Sequence, residues 1–173
     1  MTRSQSEILN RVKEISKTTP GGEEFFDRLD GEIINNASDE VMTDLFDLVP
    51  EGNFIVLSGG FGKKVANDID KGKLPRISYF LFKGGIRSGA SPELIRARDF
   101  SGSIEFNGPK YGTFVDDSIY GGATYKALKD SFTNEIKIVN CVVIYDGCPI
   151  KKDDVKSIFR YYDHFKAKSN FKF

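Results

Sequence analysis

Between residues 53 and 145 short apolar runs alternate with helix-forming stretches, and this alternation limits the fold of the 173-residue chain more than any other feature. Phe54-Ile55-Val56-Leu57 is a continuous apolar run bounded by turn residues and too short for a helix, the pattern of a strand covered on both faces of a parallel sheet. Ser58-Gly59-Gly60-Phe61-Gly62 follows directly, and the stretch from Lys63 to Ile69 then suits a helix. Ile77 to Phe82 reads as a second strand, and Gly112 to Val115 as a third that ends in Asp116-Asp117. Gly121-Gly122-Ala123-Thr124 leads into a helix carrying Ala127, Leu128 and Phe132. Glu135 to Tyr145 is a further buried strand, and Lys151 to Tyr162 reads as a last helix. The expected architecture is a three-layer α/β sheet of mostly parallel strands, whose ligands bind beyond the carboxyl ends of the strands.

Upstream, Ile8, Leu9, Val12 and Ile15 recur on one helical stripe, and Phe25, Phe26 and Leu29 mark a second helix after Pro20-Gly21-Gly22. Ser38 with Asp39 and Glu40 resembles an N-cap with an acidic first turn, opening a helix through Val41, Met42, Leu45, Phe46 and Leu48. Residues 1–52 are therefore read as a helical segment serving as a hood or a partner-binding part, 53–165 as the core, and 166–173 as a tail. The stretch from Gly84 to Lys110 lacks a core pattern and is read as a mobile loop, with Ser103 to Phe106 as a short strand inside it. It carries Arg87, Arg96, Arg98 and Lys110. Structureless connections of this length often serve as lids or binding loops.

Several function classes are disfavoured at this level. Lys plus Arg number 25 and Asp plus Glu 25, so no whole-molecule charge draws the chain to nucleic acid or to a membrane surface. No apolar run approaches the ~20 residues that span a bilayer. The opening MTRSQSEILNRVKEISK lacks the pattern of a secretory signal, so the expected compartment is the cytoplasm. Cys141 and Cys148 are read as free thiols with no further ligands nearby for zinc. Gly59-Gly60-Phe61-Gly62-Lys63-Lys64 is not a Walker A loop, because Leu57 replaces its first glycine and Lys64 its Ser or Thr. The dinucleotide fingerprint fails at Val65, where the third glycine belongs. No Gly-x-Ser-x-Gly elbow exists to recruit His164, the sole histidine, which is read as a surface residue near a helix end.

The densest chemical signal is the run from Gly112 to Thr124. It delivers two consecutive carboxylates, Asp116 and Asp117, and then a small-residue turn into a helix start. Neighbouring strand residues point to opposite faces, so the two acids cannot share one role, yet both can reach a polyhydroxylated ligand or metal-bound water at the sheet's end. Tyr120 to Thr124 can wrap an anion, because glycines allow close approach and a helix start offers unpaired N–H groups. Acids beside an anion cradle suit a sugar phosphate.

This segment, Val115-Asp116-Asp117-Ser118-Ile119-Tyr120-Gly121-Gly122-Ala123-Thr124, resembles the PRPP-binding signature of the type I phosphoribosyltransferases. The family's pyrophosphate loop finds a counterpart in Ser58-Gly59-Gly60, and the likeness spans roughly Asn53 to Tyr145. The resemblance implies an enzyme of the pentosyltransferase class that moves ribose 5-phosphate from PRPP to a nucleobase-like acceptor and releases pyrophosphate. It further implies that Asp116 and Asp117 hold the ribose hydroxyls and organise Mg²⁺. Tyr120, Gly121, Gly122, Ala123 and Thr124 would cradle the 5-phosphate, and Ser58, Gly59 and Gly60 the pyrophosphate. Lys83 would contact the pyrophosphate, with Arg87 and the other basic residues of the loop closing over it. Members that act on hypoxanthine or guanine place an acid where this chain has Tyr120, and a phenol is a poor base at neutral pH. A pyrimidine-like or unusual acceptor is expected instead. A homodimer is the expected assembly, and a non-catalytic domain of the same fold that senses PRPP or a nucleotide is the alternative.

Overall fold

The computed structural model describes residues 39–86, 91–100, 110–119, 121–132, 136–148 and 151–160. The two helices expected before residue 38, the short strand at Ser103 to Phe106, His164 and the tail lie outside these residues, as do Arg87 and Tyr120. Among the described residues six strands form one sheet: β1 (Phe54–Ser58), β2 (Tyr79–Phe82), β3 (Leu94–Arg98), β4 (Lys110–Ile119), β5 (Ile136–Asp146) and β6 (Val155–Arg160), in the order β3-β2-β1-β4-β5-β6. Every neighbouring pair is parallel except β2 with β3. The expected mostly parallel α/β architecture is thus present.

Alternation along β1 shows how the layers arise. Ile55 and Leu57 face one core, shared with Val65, Ala66 and Ile69 of α2 (Gly59–Asp70) and with Val41, Met42, Leu45 and Phe46 of α1 (Asp39–Asp47). Phe54 and Val56 face the other, shared with Tyr125 and Leu128 of α3 (Ala123–Ser131). Both faces of β1 and the centre of β5 are therefore dry, which is why those strands read as unbroken apolar runs. α1 belongs to the same core as the sheet, so the boundary drawn at residue 52 runs through continuous packing.

Three further expectations need correction. The helix expected over Lys151 to Tyr162 is not formed where the structure describes it: Val155–Arg160 is a strand in parallel register with β5, from Cys141↔Val155 to Asp146↔Arg160. The spacing of its apolar residues looked helical, but Val, Ile and Phe favour a pleated surface, and the free edge of β5 supplied backbone partners. The excursion from Gly84 to Lys110 is not wholly loop, because Leu94–Arg98 runs back along β2 as an antiparallel edge strand. Its side chains are largely exposed, so it carried no core pattern to read. Finally, β4 does not stop before its acids; it continues through Asp116 and Asp117 to Ile119, paired with β5.

Candidate functional site

The chain leaves β1 for β2 on one side, while β4 sits on the other, so the strand order reverses between β1 and β4. Crevices at such reversals, beyond the carboxyl ends of the strands, are where open α/β sheets bind ligands. Here β1 ends at Ser58 and pairs with β4 only as far as Val56↔Phe114. β4 runs on alone on that side, and Asp116 and Asp117 occupy the stretch that has lost its β1 neighbour. That is how two residues inside a strand come to line a cleft of about 310 Å³.

The cleft is walled by Ser58, Gly59, Gly60 and Phe61 from the β1–α2 junction, by Gly84, Gly85 and Ile86 after β2, by the two aspartates, and by Thr124 of α3. Of the two glycine-bearing turns that the sequence placed far apart, Ser58-Gly59-Gly60 lines this cavity, while the second reaches it through Thr124 and leaves Gly121, Gly122 and Ala123 outside its wall. Ser58 to Gly60 form no separate loop, since α2 already begins at Gly59. Gly59 has φ +68°, a conformation that costs other residues, and a Cβ on Gly84 would stand 2.9 Å from the Gly59 Cα. Gly84 is therefore required by the close approach, whereas a Cβ on Gly59 would stand an ordinary 3.7 Å from Gly84 and Gly59 is required by its φ.

Two helices open at this end of the sheet. Ser58 occupies the N-cap of α2 without making a side-chain cap bond, and Gly122, at φ +78°, occupies that of α3, likewise uncapped. Neither first turn contains an acid. The leading N–H groups of both helices thus carry no side-chain acceptor, and their dipoles favour an anion. Ser58 itself is only 8% exposed. Thr124 Oγ1 donates to the Ile86 carbonyl at 3.3 Å and ties the α3 side of the cleft to the segment after β2.

The aspartates differ in setting. By strand alternation Asp116 shares the face of Phe114 and α3, and Asp117 the face of Val115 and α2. Asp117 N donates to Asp116 Oδ1 at 2.9 Å, and Ser118 Oγ to Asp117 Oδ1 at 3.3 Å. Burial first, and the adjacent Asp117 carboxylate second, push Asp116 well above the usual carboxylate range. Two hard oxygen donors beside an anion-favouring pair of helix starts fit Mg²⁺, which commonly takes one or two carboxylates and completes its shell with water and phosphate oxygens. Among the described residues no group of three or more acids, cysteines or histidines converges on one point, so no all-protein metal cage is built.

The basic residues expected over the pyrophosphate are differently placed. The Lys83 side chain is exposed and faces Glu93 at 3.8 Å, and it is not part of the cleft wall. Arg96 and Arg98 belong to β3 and reach Asp70, at the far end of α2, at 2.6 and 3.1 Å. Both guanidinium groups are therefore directed to Asp70, away from the cleft. Phe61, Gly84, Gly85 and Ile86 were not singled out from the sequence. The Gly84-Gly85 pair directly after a strand, matching Gly59-Gly60 after the preceding one, was the signal that could have found them.

Cys141 and Cys148 are free and buried. Burial raises the Cys141 thiol well above its usual value and pushes Cys148 up to about 12, so both are inert at neutral pH. No helix among the described residues is long and apolar enough to cross a membrane.

No family model matches the chain, and no curated protein matches it in sequence. Among solved structures it is similar to that of Leishmania donovani UMP synthase, at 12% identity and a TM-score of 0.49, over 76% of this chain and 28% of that one. It is also similar to adenine phosphoribosyltransferase from Rhodothermus marinus, at 14% identity and a TM-score of 0.38, over 70% of this chain and 76% of that one. Likeness at that level assigns neither a reaction nor a residue.

Proposed function

We propose that this chain is an Mg²⁺-dependent phosphoribosyltransferase that moves ribose 5-phosphate from PRPP to a nitrogenous base, with a pyrimidine-like or unusual acceptor favoured over hypoxanthine or guanine. The observation that carries the reading is the meeting of Ser58-Gly59-Gly60, Asp116-Asp117 and Thr124 around one cleft. Two anion-favouring helix starts with acids between them match a sugar that bears phosphate at both ends and hydroxyls in the middle. The resemblance of the run from Val115 to Thr124 to the PRPP-binding signature supports the same ligand.

In this reading the α2 start and Ser58 bind the pyrophosphate end, and the α3 start binds the 5-phosphate. Asp116 and Asp117 orient the ribose hydroxyls and would hold Mg²⁺, which when bound neutralises charge on the leaving pyrophosphate. The Gly59–Gly84 contact fixes the pyrophosphate wall before substrate arrives, so the site spends little ordering energy on binding. Breaking the anomeric C–O bond leaves an oxocarbenium-like sugar, which the neighbouring carboxylate oxygens stabilise electrostatically. Lys83 would have to leave Glu93 to reach the pyrophosphate.

One observation favours the alternative, a PRPP- or nucleotide-sensing domain without catalysis: no lysine or arginine stands among the described residues of the cleft wall. A sensor needs to hold the ligand, whereas a transferase must also neutralise its leaving group. Release of pyrophosphate from PRPP and Mg²⁺ in the presence of a base panel separates the two. Titration calorimetry tests the shared site: Asp116→Asn/Asp117→Asn is expected to weaken PRPP binding by at least about a hundredfold, as loss of two metal-bearing carboxylates would. Unchanged affinity overturns the assignment.

A further inference from the structure

Ser118 is the next-to-last residue of β4 and only 5% exposed, in register with the fully buried Tyr145 of β5. A pleated surface buried to this degree favours Val, Ile or an aromatic residue, and a hydroxyl placed there must find a partner to offset the water it loses. Val115 and Ile119, to either side, are apolar and belong to the two cores. Ser118 breaks that pattern. Its hydroxyl donates to Asp117 Oδ1 at 3.3 Å, so a buried polar group of the strand is spent on one acid of the cleft.

The two acids are held by different means. Asp116 Oδ1 accepts a main-chain donor, the Asp117 N–H at 2.9 Å, which no side-chain substitution removes. Asp117 instead accepts a side-chain donor, the Ser118 hydroxyl. A carboxylate has two oxygens, so with Oδ1 engaged by Ser118 the second can serve a ligand. Asp117 lies where β4 has outrun β1, and it lines the cleft. An untethered carboxylate at such a place turns about its side-chain torsions, and freezing that motion on binding costs affinity. A bond from a buried hydroxyl on a paired strand fixes the group beforehand.

We infer that Ser118 is a positioning residue of the site, its hydroxyl holding the Asp117 carboxylate in the orientation that presents it to the cleft. Ser118 is not among the residues of the cleft wall and acts through Asp117. The resemblance to the PRPP-binding signature gives roles to the two acids and to the turn that follows, and none to the hydroxyl between them. This inference rests on the PRPP and Mg²⁺ reading for what Asp117 meets. Partners of this kind, bonded to a ligating carboxylate from outside the ligand set, commonly govern how tightly a metal is held.

The test uses the full chain with Mn²⁺ as the probe ion, alone and with pyrophosphate. Ser118→Ala is expected to weaken Mn²⁺ about tenfold, and Ser118→Thr, which keeps the hydroxyl, to retain most of the affinity. A double-mutant cycle separates positioning from a merely structural role. Asp116 remains to hold the ion in Asp117→Asn, and adding Ser118→Ala to that variant should cost less than about twofold. An undiminished loss in the Asp117→Asn background, no loss in Ser118→Ala, or a folded Ser118→Thr that behaves like Ser118→Ala overturns the inference. If Ser118→Ala binds Mn²⁺ and PRPP like the wild type while Asp116→Asn/Asp117→Asn does not, Ser118 is refuted and the PRPP reading stands. If the wild type binds neither Mn²⁺ nor pyrophosphate, the PRPP reading falls and the χ1 couplings of Asp117, measured by NMR, decide the role of Ser118. One rotamer in the wild type and averaging in Ser118→Ala sustains the hold; equal couplings refute it.

Discussion

The two ends of the sheet are built on opposite principles. At the end away from the cleft, Asp70 accepts the Tyr79 hydroxyl on both carboxylate oxygens at 2.9 Å and the guanidinium groups of Arg96 and Arg98 at 2.6 and 3.1 Å. Arg96 also reaches Asn67 at 3.0 Å, and Phe100 lies under both Arg76 and Arg98. Asp70, Arg96 and Arg98 thus neutralise one another there. At the cleft end two helix starts lack caps, three glycines (Gly59, Gly85 and Gly122) adopt positive φ, and two adjacent carboxylates face each other's charge. Stability is gathered where Asp70 sits and given up where a ligand could supply the missing partners, the expected trade-off between folding and function.

That contrast yields testable outcomes. Asp70→Ala should destabilise the fold by about 2–3 kcal/mol, because it strands the Tyr79 hydroxyl and two arginines at once. Urea unfolding measures this, and ligand binding at the cleft should be unaffected once the protein is folded. Gly84→Ala should cost about 1–3 kcal/mol, since the new methyl collides with the Gly59 backbone, and unlike Asp70→Ala it should also weaken pyrophosphate binding. A thermal melt together with a pyrophosphate titration would show both losses, and a normal titration would mean that the Gly59–Gly84 contact does not shape the site.

The next effect carries a sign. Burial and Asp117 raise Asp116 above its unfolded value, so between those two values the unfolded chain ionises while the folded chain keeps its proton. Stability therefore falls as pH rises through that window. Asp116→Asn should remove this slope and melt higher than the wild type at neutral pH, with the gain vanishing at acid pH below the ordinary carboxyl value. Melting curves across that range check it; a gain that persists at acid pH would contradict the assigned cause. The smallest effect is Lys83→Ala, which removes an exposed pair at 3.8 Å and should change stability by less than about 0.5 kcal/mol.

How much of this was legible beforehand follows from where each segment buries its side chains. β1 and the middle of β5 were readable because burial on both faces leaves an unbroken apolar run. α3 was readable because Gly121-Gly122 gave its start and Leu128 an apolar position that proves buried. β3 was not, since its residues are mostly exposed and only hydrogen bonding to β2 makes them a strand. β6 was misread as helix because Val155, Ile158 and Phe159 fit either period, and an unpaired edge of β5 settled the matter.

The candidate site divides in the same way. Asp116, Asp117 and the two glycine runs announce themselves locally, because a backbone that must approach an anion leaves small residues and acids in fixed order along the chain. Phe61, Ile86, Arg96 and Arg98 carry no such mark. Whether one of them walls the cleft or pairs with Asp70 depends on which strands become neighbours and where the connections run. Local order along the chain records what the backbone needs, and the assignment of a long side chain to a partner is made only in space, by the sheet that brings distant residues within a few ångströms.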